Sequence, residues 1–322
     1  MINQNAVEAV FERSLKLRPE ESCLIVTDTI KEPIARVFYE YVIPRSSESK
    51  LAIIPPAREH AAPPPEEVAA MMLNYDVELL ITQKSLTHTR ARMNASRAGA
   101  RIATMPSITE EIANRCLDID YTALKKESSR ICDLLRKTKK VRVTTSLGTD
   151  ITFDANHAMF FGENGGSFSE PGAFGNLPEG EVAFAPLSCE GIYVVDASFP
   201  DLGRLSSPLM FKVKNGAVYE ITGRDAPEVI ERLEHVGAKA YRVAELGIGL
   251  NPKAIVTGNI LEDEKAAGTV HIAVGNNLFG GGDNDVPLHL DGVILSPDVY
   301  FDGKKFIETG KFLSGYPKKP TS

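Results

Sequence analysis

Residues 23–29 read CLIVTDT, and the same short β-rich texture returns as LAIIPP at 51–56, VELLIT at 77–82 and RIATMP at 101–106. Between these runs lie segments of helical composition, such as PEEVAAMMLN at 65–74. Strands alternating with helices predict βαβ units and a parallel sheet. Upstream, Asn5 followed three residues later by Glu8 has the spacing of a capping box, and Val7, Val10, Phe11 and Leu15 recur at helical spacing, so the chain is expected to open with an amphipathic helix. Pro-rich AREHAAPPPEE at 57–67 reads as a loop, and Pro106 and Pro178 close other elements.

An open α/β sheet invites a nucleotide reading, which the residues do not support. The first strand ends in Thr27-Asp28-Thr29 where a dinucleotide site needs a glycine-rich turn. Gly247-Ile248-Gly249 is followed by Leu250-Asn251-Pro252 and lacks the third glycine, and no GKS or GKT phosphate loop occurs. Ser85, Thr87, His88, Thr89, Arg90 and Arg92 form a polar run directly after the third strand. Strand carboxyl ends carry ligands in such sheets, so His88 and Arg90 are candidates to meet a substrate. A helix cap with a solvated face is the favoured reading of the run, because His and Arg are usually exposed.

Near residue 140 the texture changes. KKVRVTTSLGTDITFDA reads as a hairpin around Leu147-Gly148, and FKVKNGAVYEITG as another around Asn215-Gly216. One clear helix interrupts them, DAPEVIERLEHVG at 225–237, with Pro227 near its start and Gly237 at its end. The expected class is therefore α/β: an amino-terminal open parallel α/β sheet domain over residues 1–140, then a β-rich α+β domain over 141–322.

Composition agrees with two folded domains. The chain has 322 residues, 43% of them hydrophobic and 25% charged, and a net charge of −7. That balance provides no basic stripe for a phosphate backbone, so nucleic acid is not an expected partner. No apolar run approaches the roughly 18 residues that cross a bilayer, and MINQNAVEAVFERS lacks the layout of a secretory signal, so a cytoplasmic protein with no membrane partner is expected. Cys23, Cys116, Cys132 and Cys189 are far apart and form no CxxC, which suggests neither a disulfide framework nor a thiolate zinc site.

Chemistry concentrates in NLPEGEVAFAP at 176–186, AELGIGLNP at 244–252, LEDEKAAGTVHIAVGNN at 261–277 and PLHLDGVI at 287–294. On a strand, His289 and Asp291 share a face while Leu290 turns to the other. Val270, Ile272 and Val274 likewise share one face and leave His271 on the other with Thr269 and Ala273, small neighbours that leave room for an ion. Glu181 and Glu245 stand at the edges of apolar runs, which is costly for a carboxylate without a compensating cation. Singly, each has a plain alternative: a satisfied histidine, a surface acid, or, for Glu264 in the acidic run LEDEK, a solvated face.

Taken in order, these segments resemble the aminopeptidase T family of metallopeptidases, most sharply from 176 to 294. The resemblance implies that Glu181, in an Asn-x-Pro-x-x-Glu-Val pattern, and Glu245, in ELGIGLNP, bind metal together with Glu264, His271, His289 and Asp291. It implies a hydrolase acting on a small peptide or amino-acid-derived substrate, two divalent ions (zinc, manganese or cobalt) and a homodimer. Four carboxylates and two neutral imidazoles would balance two such ions, which could share a water and lower its pKa. Glu179 or Glu181 is the candidate proton shuttle. Two departures stand out: the family pairs its first glutamates where this chain reads Glu179-Gly180-Glu181, and it carries Tyr where this chain has Leu278, removing an oxyanion donor. Asn277, His88 or Arg90 are the candidate replacements for that donor.

A second reading comes from the same wider fold group. Relatives resembling 2,5-dihydroxypyridine dioxygenase hold one ferrous ion and open an aromatic ring. They tend to have His at the position of Glu245 and to lack the acid matched by Glu264. Because this chain keeps both acids, hydrolysis ranks first. A third reading is a binding protein that has kept the fold and lost catalysis.

Overall fold

The computed structural model of the protein describes residues 1–314. All four apolar runs of the first half form parallel strands, in the order Glu48–Ile54, Ser22–Asp28, Val77–Ile81, Arg101–Thr104. A fifth strand, Phe174–Asn176, joins in parallel beside Arg101–Thr104 from far along the chain. Helices Glu32–Val42, Glu66–Met71 and Arg90–Ala98 lie between these strands in sequence, as the alternation predicted. Leu24, Val26, Leu80 and Ile102 build a core with Val68, Met72 and Ala95 from the helical segments.

At the amino terminus the helical residues are as expected, but the cap is Asn3, whose side chain accepts from the backbone N–H of Ala6. Val7, Val10, Phe11 and Leu15 are buried. The segment passes from an α-helical Gln4–Glu8 into a wider π-helical stretch, Ala9–Ser14.

One residue of the parallel sheet conflicts with its surroundings. Glu78 lies in register between Leu24 and Ile102, is fully buried, and has no hydrogen-bond partner for either carboxylate oxygen among the described residues. Burial raises its pKa well above the ordinary carboxylate value of 4.5. The folded chain therefore keeps a proton that the unfolded chain loses, so this contribution to stability is fully present below pH 4.5 and is lost as pH rises toward the elevated value. Glu78→Met is expected to raise stability at neutral pH by roughly 1–3 kcal/mol, the cost of an unsatisfied buried polar group. Urea titrations at several pH values should show the gap between variant and parent widening above pH 4.5; a gap that is flat or narrows would contradict this account.

In the second half two antiparallel sheets form. Eight strands run in the order Ala217–Thr222, Leu209–Lys214, Ser188–Val195, Asp150–Asp154, Lys140–Thr144, Asp298–Phe301, Lys304–Glu308, Lys311–Phe312. Both expected hairpins are here, and Asn215 and Gly216 each have positive φ (52° and 74°), the conformation that a two-residue turn between twisted strands requires. Seven strands make the other sheet: Gly203–Arg204, Ser198–Phe199, His289–Ile294, Val270–Gly275, Val243–Gly249, Glu181–Phe184, Phe160–Phe161.

By contacts the chain divides into two compact units. One comprises Met1–Lys125 and Gly166–Glu179, the other Lys126–Gly165 and the chain from Gly180 onward. The sequence reading uses a single boundary at 140; the chain instead passes between units three times, because Phe174–Asn176 returns to pair with Arg101–Thr104. All four cysteines are buried and free, and no helix among the described residues is long and apolar enough to cross a membrane.

Candidate metal centre

The site is built on the middle of the seven-stranded sheet. Register places Gly247 beside both Ala183 and His271, Glu245 beside Ala273, and Ala273 beside Asp291. Residues opposite one another point to the same face. That face therefore carries Glu181 and Ala183, then Glu245, Gly247 and Gly249, then His271, Ala273 and Gly275, then His289 and Asp291. On the strands carrying Glu181, Glu245 and His271, donor side chains alternate with glycine or alanine, which clears the floor for imidazole rings. A Cβ at Gly247 would lie inside contact distance of His271 Nε2. The glycines of GIG are thus explained by an imidazole packed over them, and by the Ala266 carbonyl that crowds Gly249.

Five of the six sequence-predicted metal residues come from this face. Glu264 comes from elsewhere, at the end of the short helix Ile260–Asp263. The LEDEK run is not the solvated face its composition suggested: Leu261 through Lys265 are all buried. Backbone N–H groups absorb two of its acids, with Ile255 donating to Glu262 at 3.0 Å and Thr257 and Gly258 donating to Asp263 at 2.7 and 2.8 Å.

All six predicted metal residues converge. His271 Nε2 lies 3.2 Å from Glu181 and 3.1 Å from Glu245, and His289 Nε2 lies 3.3 Å from both Glu245 and Asp291. Glu245 thus faces both imidazoles. Three overlapping triads have one donor atom per residue within 4.8 Å of each other: Glu181, Glu245 and His271; Glu245, His289 and Asp291; Glu264, His271 and Asp291. His289 Nδ1 is 2.8 Å from the Asn276 carbonyl oxygen, a contact that fixes the ring and turns Nε2 inward. Two buried atoms, Asp291 Oδ1 and His271 Nδ1, have no hydrogen-bond partner among the described residues. A buried carboxylate oxygen that makes no hydrogen bond, with the His289 ring at 3.3 Å beside it, fits a cation.

Electrostatics follow from the crowding. Burial opposes charge on both imidazoles, yet the neighbouring carboxylates outweigh it and pull His271 and His289 well above the usual imidazole range. Burial also pushes Glu181 up, but Lys265 and His271 reverse this and hold it at about 2. Glu264 goes the other way, pushed up to about 8 by burial reinforced by Glu181 and Asp291, against the pull of Lys265. Lys265, which sequence reasoning passed over, is a fully buried ammonium 2.5 Å from Glu181 and 2.6 Å from Glu264.

The remaining candidates lie in other settings. Glu179 belongs to the first unit and is buried, and a side chain at Gly166 would run into it and Tyr121. The Ser85–Arg92 run supplies a helix cap, with Thr89 accepting from the backbone N–H of Arg92, whose buried guanidinium stacks 3.7 Å over Phe174. Asn277 is engaged by its own turn, accepting from Asn284 at 2.8 Å. Leu278 is half exposed and offers no donor. Behind His289 stands an aromatic row, with Phe279 edge-on to the imidazole at 5.0 Å and to Phe161 at 5.1 Å.

Comparison with known families matches residues 31–314, most of the chain, to NicX, 2,5-dihydroxypyridine 5,6-dioxygenase. The chain belongs to the NicX family. Among solved structures, the 2,5-dihydroxypyridine dioxygenase of Pseudomonas putida KT2440 superposes with a TM-score of 0.83 at 18% identity, covering 96% of each chain. AmpT from Thermus thermophilus superposes with a TM-score of 0.67, also at 18% identity, covering 96% of this chain and 99% of its own. No curated protein matches by sequence. The α/β class with added antiparallel sheets is thus shared with both neighbours.

Membership of the NicX family corrects the first-ranked functional reading. Hydrolase, protease and aminopeptidase are overturned by a family match to a dioxygenase and by the closer superposition on one. The physical reason is that clustered carboxylates and imidazoles serve either chemistry, so the ligand residues alone do not choose the reaction. Leu278, with no donor to offer an oxyanion, agrees with the correction.

Proposed function

We propose that this member of the NicX family holds one divalent ion, ferrous iron, at Glu245, His289 and Asp291, and opens the ring of a dihydroxylated pyridine. The observation that carries the reading is the family match over residues 31–314, and the triad supplies its chemistry. Mixed imidazole and carboxylate donors without thiolate suit iron or manganese; a carboxylate at 245 in place of a second imidazole makes the set more anionic than the two-histidine, one-carboxylate arrangement of non-haem oxygenases. Bound there, the ion supplies the one-electron chemistry by which dioxygen reacts with an electron-rich ring.

The chain's own residues do the rest. Glu245 orients both imidazoles, and Asn276 fixes the ring of His289 through Nδ1. Phe279 and Phe161 give the site an apolar aromatic border against which a flat ring can pack. Glu264, with a carboxylate oxygen within 4.8 Å of Asp291, is placed to exchange a proton with a substrate hydroxyl. A homodimer is expected for the assembly, which light scattering checks.

Anaerobic loading with Fe(II), followed by 2,5-dihydroxypyridine and oxygen, tests the function. One O2 should be consumed per ring, with loss of the ring's ultraviolet absorbance. Iron-loaded protein that consumes no oxygen with dihydroxylated pyridines would defeat the reading.

A further inference from the structure

We propose that Lys265 is a built-in cation that limits the cluster to a single metal ion. The inference rests on reading these residues as a metal site, but not on the reaction catalysed there. The six donors form three overlapping triads, and two of them include Glu181 or Glu264. Those are the two carboxylates that Lys265 engages, at 2.5 and 2.6 Å. The third triad, Glu245, His289 and Asp291, contains neither. A divalent ion on Glu181 or Glu264 would share a carboxylate whose Oε1 the ammonium already engages, and would add two further positive charges beside it.

The lysine is held rather than merely nearby. Its side chain is 1% exposed. Its backbone N–H donates to the Glu262 carbonyl at 3.0 Å, and its carbonyl accepts from Asn251 at 2.7 Å. The adjoining acids, Glu262 and Asp263, are tied to the N–H groups of Ile255, Thr257 and Gly258, so the turn that presents Lys265 is fixed on both sides. A buried lysine seated between two carboxylates in this way supplies positive charge where a second metal ion would, one unit in place of two, without being exchangeable.

Metal stoichiometry decides the matter. The parent protein, saturated with Mn(II) and freed of excess ion, should hold one manganese per chain by elemental analysis. Lys265→Met, purified in Mn(II), should hold two, its second ion bound at least about 100-fold more tightly than any second ion in the parent. Lys265→Arg, which keeps the charge, should remain at one. Two ions per chain in the parent overturn the inference whatever the variants do, and so does a folded Lys265→Met that stops at one. If Lys265→Met does not fold, the parent's count and that of Lys265→Gln, expected to hold two, decide in the same way. A parent that binds one ion yet cleaves no ring defeats the functional reading alone; ring cleavage by a parent holding two ions defeats this inference alone.

Discussion

Asp291→Ala is expected to remove the metal ion and lower ring-cleaving turnover by more than the roughly 100-fold that loss of an outer partner of a metal ligand can cost. Asp291 belongs to two of the three triads, and its Oδ1 is buried with no hydrogen-bond partner among the described residues. Deleting it relieves the crowding of acids but also removes the 3.3 Å ion pair with His289, so the metal-free variant should melt close to the temperature of the metal-free parent. What should vanish is the metal-induced rise, which for a parent in 100-fold excess over its Kd amounts to about 2.7 kcal/mol. Thermal melts with and without Mn(II), together with elemental analysis, separate the two effects. An unchanged metal content in the folded variant would remove Asp291 from the site.

The second large effect comes from a residue with no chemistry of its own. Gly247→Ala puts a methyl group into the space of the His271 ring, since a Cβ there lies inside contact distance of Nε2. Overpacking of this kind costs about 1–3 kcal/mol, and turning the ring away breaks its contacts with Glu181 and Glu245. Metal affinity should fall about 10- to 100-fold, as when the orientation of a ligand is lost. A double-mutant cycle gives the check, because adding His271→Ala to Gly247→Ala should recover stability that either independent effect would not. Simple additivity of the two changes would show that the methyl group and the imidazole do not compete for one space.

Much of this was legible in the sequence. The inner parallel strands were readable because their residues are buried on both faces and hence largely apolar, as in CLIVTDT. The site residues were readable because His289 and Asp291, two apart, and His271 among small neighbours leave a pattern that a strand converts into a face. Lys265 was not, since lysines are mostly exposed and its burial depends on Glu181, 84 residues away in sequence. Glu78 and the LEDEK acids hide for other reasons: Glu78 has no hydrogen-bond partner among the described residues to mark it, and Glu262 and Asp263 are held by backbone N–H groups, which leave no residue-type signature. The reaction itself was illegible from the donors, which hydrolytic and oxidative enzymes share; family membership, not residue type, supplied it.

The interleaving of the two units constrains how the chain is made. Its parallel sheet lacks its fifth strand until residue 176 has emerged from the ribosome, and meanwhile the edge at Arg101–Thr104 presents unpaired N–H and C=O groups that invite pairing with another nascent chain. A fragment cut at residue 140 would carry that bare edge permanently. The stretch Gly166–Glu179 therefore acts as a molecular clasp, fastened late in biosynthesis, over the edge that Arg101–Thr104 would otherwise leave bare.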